Sequence, residues 1–321
     1  MIETITQLQF PVDEVLSIKK MRFEPKNAAK DMKRISIVTG IHGDELEGQY
    51  VCYKLASFLE ENQDKLSGIV DIYPALNPLG IDSITRGIPV FDLDMNRIFP
   101  GRKDGDMNEY TASKIVQDLE GSDLCIDIHA SNIFLTEVPQ IRINSLHSDM
   151  LIEYAKNANV DFIWIHGAST VLESTLAHSL NVLNTPTLVV EMGVGMRITK
   201  QYGDQLLAGI FNLMDKLGIY SCEEKIELKS PIISSGADDV SFLNAPVSGI
   251  FIKEKDHGSF VQADEIIGNV VNPLSGQILA QIAAPQAGWL FTIREYPVVS
   301  EGSLMGRILK QSVCDQMEGS L

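Results

Sequence analysis

Apolar and polar positions follow two different periods along roughly the first two hundred residues. Short apolar runs of strand length alternate with longer stretches whose apolar residues recur at helical spacing. The strand-like runs are 35–38, 69–73, 124–128, 161–165 and 187–190. The helix-like stretches are about Glu45 to Leu59, Thr111 to Leu119 and Thr175 to Leu180. Strand–helix alternation of this kind predicts an α/β fold with a mostly parallel, mixed sheet and helices on both faces.

The pattern changes after about Ser221, where helical periodicity gives way to short β-like runs separated by glycine and proline. The segment 245–251 (APVSGIF) recurs 39 residues later as 284–290 (APQAGWL). Each copy leads to a Gly-x-Val or Gly-x-Ile triplet, at 268–270 and 306–308. Two hairpin-like halves of a small all-β barrel or sandwich would give this repeat.

This repeat is similar to the flattened barrel of biotinyl and lipoyl carrier domains. A carrier needs an exposed lysine at a hairpin tip, and the corresponding turn, 272–276, contains none. We therefore expect the shape without the carrier function. The predicted domains are residues 1–221 and a C-terminal β-domain, 222–321, with an internal two-fold repeat.

Charge and composition narrow the classes of partner. The 321 residues carry a net charge of −17, which repels phosphate backbones and anionic membrane surfaces, so we expect neither nucleic acid nor a membrane as a partner. No run of 18 apolar residues and no secretory signal is present, and the cytoplasm is the expected location. The four cysteines form no C-x-x-C pair, so we expect reduced thiols.

Polar residues follow three of the predicted strands. The first strand leads to Gly-x-His-Gly-x-Glu with His42 and Glu45, another to Asp-x-His with His129, and a third to Glu-x-Gly with Glu191. In open α/β sheets, ligands bind beyond the carboxyl ends of the strands, where these side chains would meet. Two histidines and one carboxylate leave a fourth zinc position open, as catalytic zinc sites do.

Each of these residues also has an ordinary structural interpretation. An H-x-x-E spacing often occurs by chance, His129 could be a hydrogen-bonded histidine, and Glu191 could cap a helix. For the remaining histidines a surface or packing role is expected: His147, His166, His178 and His257. His166 fits that interpretation least well, because it also follows an apolar strand.

The segment between the first two histidines adds further motifs. It contains Asn-Pro-Leu-Gly at 77–80, then Arg86, then Asp-Met-Asn-Arg-Ile-Phe-Pro-Gly at 94–101. Together with the three strand-end motifs, in this order, it resembles the succinylglutamate desuccinylase/aspartoacylase family, a branch of the zinc carboxypeptidase superfamily. The resemblance covers residues 34–220 and implies a zinc carboxypeptidase-like catalytic domain. An all-β tail also suits the family.

The resemblance implies roles for the strand-end residues. His42, Glu45 and His129 would hold one Zn²⁺ per chain. Glu191 would be the general base that takes a proton from the attacking water and later delivers one to the leaving amine.

It also implies roles for four residues of the intervening segment. Arg86 would polarise the scissile carbonyl and stabilise the oxyanion. Asn96 and Arg97 would bind a carboxylate of the substrate, which a planar guanidinium grips with two hydrogen bonds. Asp94 would orient the zinc ligand His42.

Two departures from the family pattern concern the substrate. Aspartoacylases carry a further arginine shortly before the general base, whereas no arginine occurs here between Arg142 and Glu191. Arg142 or Arg197 would be the substitutes, although neither stands at the matching position. The interval from Arg86 to Asn96 is also longer than in those enzymes. N-acetylaspartate and succinylglutamate are therefore only candidates.

We predict a zinc-dependent amidohydrolase that acts on an N-acyl amino acid or a related small molecule bearing a carboxylate. A zinc carboxypeptidase acting on short peptides is the alternative. A binding protein that retains the metal without turnover is a third hypothesis, which the intact Glu191 disfavours. A homo-oligomer is compatible with the sequence.

Overall fold

The computed structural model describes residues 1–26, 31–167, 173–222 and 226–318. The strands are β1 (Ile2–Gln9), β2 (Val15–Phe23), β3 (Arg34–Thr39), β4 (Ile69–Tyr73), β5 (Leu124–Ala130), β6 (Leu135–Asn144), β7 (Phe162–His166), β8 (Thr187–Gly193), β9 (Ile232–Ser234), β10 (Val240–Asn244), β11 (Gly249–Lys253), β12 (Ser259–Val261), β13 (Ile266–Asn272), β14 (Gln277–Ala283), β15 (Gly288–Arg294), β16 (Val298–Val299) and β17 (Leu304–Lys310). The helices are α1 (Glu47–Asn62), α2 (Pro78–Ser83), α3 (Met107–Leu119), α4 (Ser148–Ala155), α5 (Leu176–Val182), α6 (Lys200–Lys216) and α7 (Gln311–Glu318). Short 3₁₀ turns cover Gln63–Lys65, Met95–Arg97 and Ser145–His147.

The described strands form one large mixed sheet and one small antiparallel sheet. The large sheet has 13 strands in the order β1-β2-β4-β3-β5-β8-β6-β15-β17-β10, with β12 on β15, β7 on β6 and β9 on β7. Its centre, from β4 through β3 and β5 to β8, is parallel. The small sheet has the order β14-β13-β11-β16.

Helices cover both faces of the parallel centre. Ile35 and Ile37 of β3 belong to the core beneath α1 and α6, whereas Val38 belongs to the core beneath α3 and α5. Successive strand residues point to opposite faces, so a nearly continuous apolar run is required where both faces are covered. This arrangement confirms the predicted fold class of a mixed α/β sheet followed by β-structure.

The C-terminal strands continue the large sheet, a connection that the sequence pattern did not predict. Thr292 of β15 pairs with Glu137 of β6. The two copies of the sequence repeat lead into different sheets, the first into β11 and the second into β15. β11 pairs with β13 and β15 pairs with β17, and residues of both sheets, including Phe251 and Leu290, share one core. The domain boundary at 221/222 stays a prediction.

Strands β1, β2 and β6 were not predicted, because their polar residues break the apolar runs. In β6, Glu137 and Gln140 are fully buried, and the register against β8 shifts between them. Such a β-bulge interrupts the alternation on which strand prediction depends. No helix in the described ranges is long and apolar enough to cross a membrane.

A buried ionic cluster attaches the N-terminal hairpin to β4. Asp71 of β4 is fully buried and accepts hydrogen bonds from Arg22 Nε at 2.8 Å and Nη2 at 2.7 Å. Lys20 Nζ lies 3.4 Å from the same carboxylate and 2.8 Å from Asp118. The Tyr73 hydroxyl donates to Asp118 at 2.8 Å. Removing the Asp71 charge would leave Arg22 without its carboxylate partner and Lys20 with Asp118 as its nearest one.

We expect Asp71→Asn to lower the free energy of unfolding by about 3–5 kcal/mol, as measured by denaturant titration, since breaking a buried ion pair has that effect. As a matched control, Glu153→Gln removes one partner of the exposed Glu153–Lys156 pair and should leave the free energy of unfolding nearly unchanged. Equal effects of the two substitutions would contradict a structural role for the cluster.

Candidate metal and active site

Three neighbouring strands bring the strand-end motifs together. β3 and β8 both pair with β5, and His129 of β5 is the register partner of Glu191 of β8. His42 and Glu45 lie in the turn between β3 and α1. The carboxyl ends of the parallel strands therefore bring all four predicted side chains to one edge of the sheet.

His42, Glu45 and His129 are buried, and their ligand atoms all lie within 4.8 Å of one another. His42 Nδ1 is 2.8 Å from Glu45 Oε1, and His129 Nδ1 is 2.9 Å from Glu45 Oε2. Although His42 Nδ1 lies this close to the carboxylate, the two atoms do not form a hydrogen bond, and among the described residues this buried nitrogen has no other hydrogen-bond partner. Two imidazole nitrogens and a carboxylate that converge in this way fit a zinc site with an open position.

A carboxylate lies beside the other ring nitrogen of each histidine. His42 Nε2 is 3.1 Å from Asp94 Oδ1, and His129 Nε2 is 3.1 Å from Asp127 Oδ2. Burial opposes ionisation of Asp94, but the hydrogen bond with His42 and the nearby Arg86 guanidinium hold the pKa of this carboxyl below its usual range. Carboxylates on the far nitrogen fix the tautomer and orientation of metal-ligating histidines.

Arg86 is placed by a close contact between two backbone turns. A Cβ at Gly43 would lie 1.9 Å from the carbonyl carbon of Gly80, so only glycine allows this approach. The Asn77 side chain accepts a hydrogen bond from Gly80 N and donates one to Gly87 O, beside Arg86. Arg86 Nη1 then donates to Glu45 Oε1 at 2.8 Å. The Asn-Pro-Leu-Gly motif thus positions the guanidinium next to the candidate metal-ligating cluster.

Asn96 and Arg97 have different surroundings. Asn96 is buried, and its side-chain oxygen accepts a hydrogen bond from Leu176 N at 2.9 Å, which fixes the start of α5. Arg97 is exposed, and its Nη1 donates to the Asn96 carbonyl. No carboxylate of the described residues forms an ion pair with Arg97, so this guanidinium can accept an anionic ligand.

Glu191 lies beside Arg142, whose Nη1 is 3.4 Å from Glu191 Oε1. Burial raises the pKa of the Glu191 carboxyl, and the Arg142 charge opposes that rise. A carboxylate whose pKa is raised towards neutrality is suited to proton transfer.

One cavity of about 560 Å³ contains seven of the eight predicted site residues: His42, Glu45, Arg86, Asn96, Arg97, His129 and Glu191. Asp94 lies behind His42. Of the two candidate substitute arginines, Arg142 lines the cavity, whereas Arg197 is exposed and does not.

Sequence reasoning missed several cavity residues. Asp127 stands in the Asp-x-His motif and, two residues before His129 on a strand, points to the same face, so it could have been predicted. Glu137 and Arg307 lie 170 positions apart and carried no local signal. The cavity lining also includes three histidines for which the sequence predicts surface or packing roles: His147, His166 and His178.

The fold and the site define an α/β protein with a candidate metal cluster at the carboxyl edge of its sheet. Residues 31–217 match the succinylglutamate desuccinylase/aspartoacylase catalytic domain, and the chain belongs to that family. The predicted resemblance is confirmed.

Individual relatives agree with this assignment. The N-alpha-acetyl-L-2,4-diaminobutyric acid deacetylase of Halomonas elongata is 34% identical over 101 residues, which are 31% of this chain and 29% of the relative. The product-bound ectoine utilization protein EutE (DoeB) of Ruegeria pomeroyi superposes with a TM-score of 0.81 at 19% identity, over 95% of this chain and 93% of that one. A succinylglutamate desuccinylase of a Silicibacter species superposes with a TM-score of 0.82 at 20% sequence identity, over 96% of this chain and 95% of that one. At these identities the two structures establish a shared fold.

Proposed function

We propose that this protein is a zinc-dependent deacylase that hydrolyses the amide bond of an N-acyl amino acid or a related small molecule. The observation that carries the proposal is the presence in one cavity of the candidate metal-ligating cluster, the Glu191 carboxyl and the Arg97 guanidinium, which forms no ion pair with a carboxylate of the described residues. Membership of the family and the partial match to a deacetylase support the same reaction class.

His42, Glu45 and His129 would hold one Zn²⁺ per chain, as their geometry and outer carboxylates fit this ion. Bound there, Zn²⁺ would supply a Lewis acid that polarises the scissile carbonyl and lowers the pKa of water.

The remaining roles belong to side chains around the cluster. Glu191 takes the proton of the attacking water and returns a proton to the leaving nitrogen. Arg86 is partly exposed to the cavity and donates a hydrogen bond to the carbonyl oxygen as negative charge develops there. Asp94 keeps the His42 ring in place. Arg97, on the Asn96 backbone, binds the carboxylate of the substrate.

A carboxypeptidase acting on short peptides is the alternative, and cavity size favours the deacylase. The volume of about 560 Å³ lies in the range of pockets that enclose small molecules, roughly 300–1,000 Å³. An assay of the zinc-loaded protein against N-acyl amino acids and matched dipeptides tests the proposal. We expect turnover of the N-acyl amino acids, and hydrolysis of the peptides alone would favour the alternative.

The cytoplasmic location and a homo-oligomer stay predictions.

We expect Arg97→Lys to raise KM by about 10- to 150-fold, because a lysine keeps the charge but loses the paired hydrogen bonds, worth about 1.5–3 kcal/mol. Amidation of the substrate carboxylate should cause a similar loss in the parent enzyme and little further loss in the variant. Steady-state kinetics of both proteins with both substrates measures this non-additivity.

Arg102→Lys is the matched control, since Arg102 is exposed and paired with Glu109 outside the cavity. It should leave KM for both substrates unchanged. If the losses from Arg97→Lys and from amidation simply multiply, Arg97 does not bind this carboxylate.

A further inference from the structure

A fully buried carboxylate, Glu137, holds two arginines that line the cavity. It accepts hydrogen bonds from Arg142 Nη2 at 2.8 and 3.0 Å, from Arg307 Nη1, and from Thr292 Oγ1 at 3.0 Å. Arg142 and Arg307 both line the cavity beside Glu191. Glu137, Arg142 and Arg307 form one wall of the cavity, and the net charge of this wall depends on the ion pairs among them.

Strand pairing fixes this arrangement. Glu137 of β6 is the register partner of Thr292 of β15, which is the partner of Arg307 of β17, so the three side chains share one face of the sheet. The register shift between Glu137 and Gln140 brings Arg142, five positions after Glu137, to that face as well. The C-terminal strands thus supply one of the two guanidinium groups.

Neither guanidinium is free for a substrate anion. Arg142 contacts Glu137 and lies 3.4 Å from Glu191, so two cations face two carboxylates. Burial also lowers the pKa of His147 and of His166, which disfavours a positive charge on these imidazoles of the cavity wall. An anion placed here would lose its hydration without gaining an unpaired cation. Arg97 offers the contrasting case of an exposed guanidinium with no carboxylate partner among the described residues.

We propose that Glu137 determines substrate specificity because, together with Glu191, it neutralises Arg142 and Arg307, so that the cavity accepts substrates with one carboxylate and rejects those with two. The inference rests on the proposed function, in which Arg97 binds that single carboxylate. It also gives the C-terminal strands a role in the site, since Arg307 is one of the two cations with which Glu137 forms an ion pair.

The test compares N-acetylasparagine with N-acetylaspartate, which have nearly the same shape and differ by one charge. Calorimetric Kd values and kcat/KM are measured for the zinc-loaded protein. We expect the parent to prefer the asparagine derivative by about tenfold or more, a free-energy difference of about 1.4 kcal/mol. Glu137→Gln should shift this ratio about tenfold towards the aspartate derivative, because one guanidinium becomes available. Arg307→Met, which removes a cation, should shift the ratio the other way.

The acyl side of the cavity is probed in the same way, by comparing N-succinylglycine with the derivative in which the succinyl carboxylate is replaced by an amide. Glu153→Gln, the same chemical change on an exposed helix residue, should leave every ratio at its parental value. A purely structural role of Glu137 would weaken both members of a pair equally. Melting temperature and zinc content show whether each variant is folded.

A parental preference for the doubly charged ligands overturns the proposal. So does an unchanged ratio in a folded Glu137→Gln variant. If Glu137→Gln does not fold, Arg307→Met decides. A shift of its ratio towards the asparagine derivative supports the proposal, and an unchanged or opposite ratio overturns it. Absence of all hydrolysis would contradict the deacylase function alone, because the calorimetric ratio still measures charge selectivity, and binding of neither ligand of either pair would contradict both.

Discussion

Glu191→Gln should reduce kcat by about 10²- to 10⁴-fold while the zinc content stays near one per chain, as expected when a general base is removed. The glutamine keeps the size of the side chain and an oxygen at the position that lies 3.4 Å from Arg142 Nη1. Its amide cannot take a proton from water. Because the lost interaction belongs to the transition state, KM should change little. Steady-state kinetics and metal analysis of the same preparation measure both quantities.

Glu153→Gln provides the matched control, as an identical substitution outside the cavity, and should turn over at the parental rate. A Glu191→Gln variant with full activity would mean that another group accepts the proton. A variant that lost its zinc would instead place Glu191 among the residues that hold the metal-ligating cluster together.

The parts of the site that could be predicted from sequence are those contained in short motifs. His42 and Glu45 stand three positions apart in one turn, and His129 and Glu191 each close a recognisable strand. Parallel strands place their carboxyl ends at a common edge, so local patterns were enough to bring these four residues together. The same reasoning predicted the central sheet, where burial on both faces requires apolar runs.

The wall formed by Glu137, Arg142 and Arg307 could not be predicted in this way. A charged residue in a strand normally indicates an exposed position, because burying an unpaired charge is costly. Glu137 is nevertheless fully buried, because Arg142 lies beside it on β6 and two further partners, Thr292 and Arg307, come from β15 and β17, far along the chain. The pairing of β6 with β15 brings Arg307 to this carboxylate, and no local pattern specified that pairing.

In the C-terminal part of the chain, too, local structure could be predicted from the sequence but strand pairing could not. The sequence repeat correctly indicated β-structure after about Ser221, since turn residues and short apolar runs are local features. Which strands pair depends on contacts between distant segments. Leu290 and Phe251 stand at equivalent repeat positions and meet in one core, although their strands belong to different sheets.

His42→Ala and His129→Ala should each reduce bound zinc from about one ion per chain to nearly none after dialysis, because two remaining ligands cannot complete a three-ligand catalytic site. Metal analysis by mass spectrometry measures the stoichiometry, and circular dichroism checks that each variant is folded. His178→Ala is the matched control. It removes an imidazole from the same cavity, but His178 lies outside the cluster of ligand atoms, so zinc should be retained. Full zinc occupancy in both folded ligand variants would show that other residues hold the metal. Equal zinc loss in all three would show that the loss follows from disturbing the cavity, whereas loss confined to His42 and His129 identifies the two nitrogens that converge on Glu45.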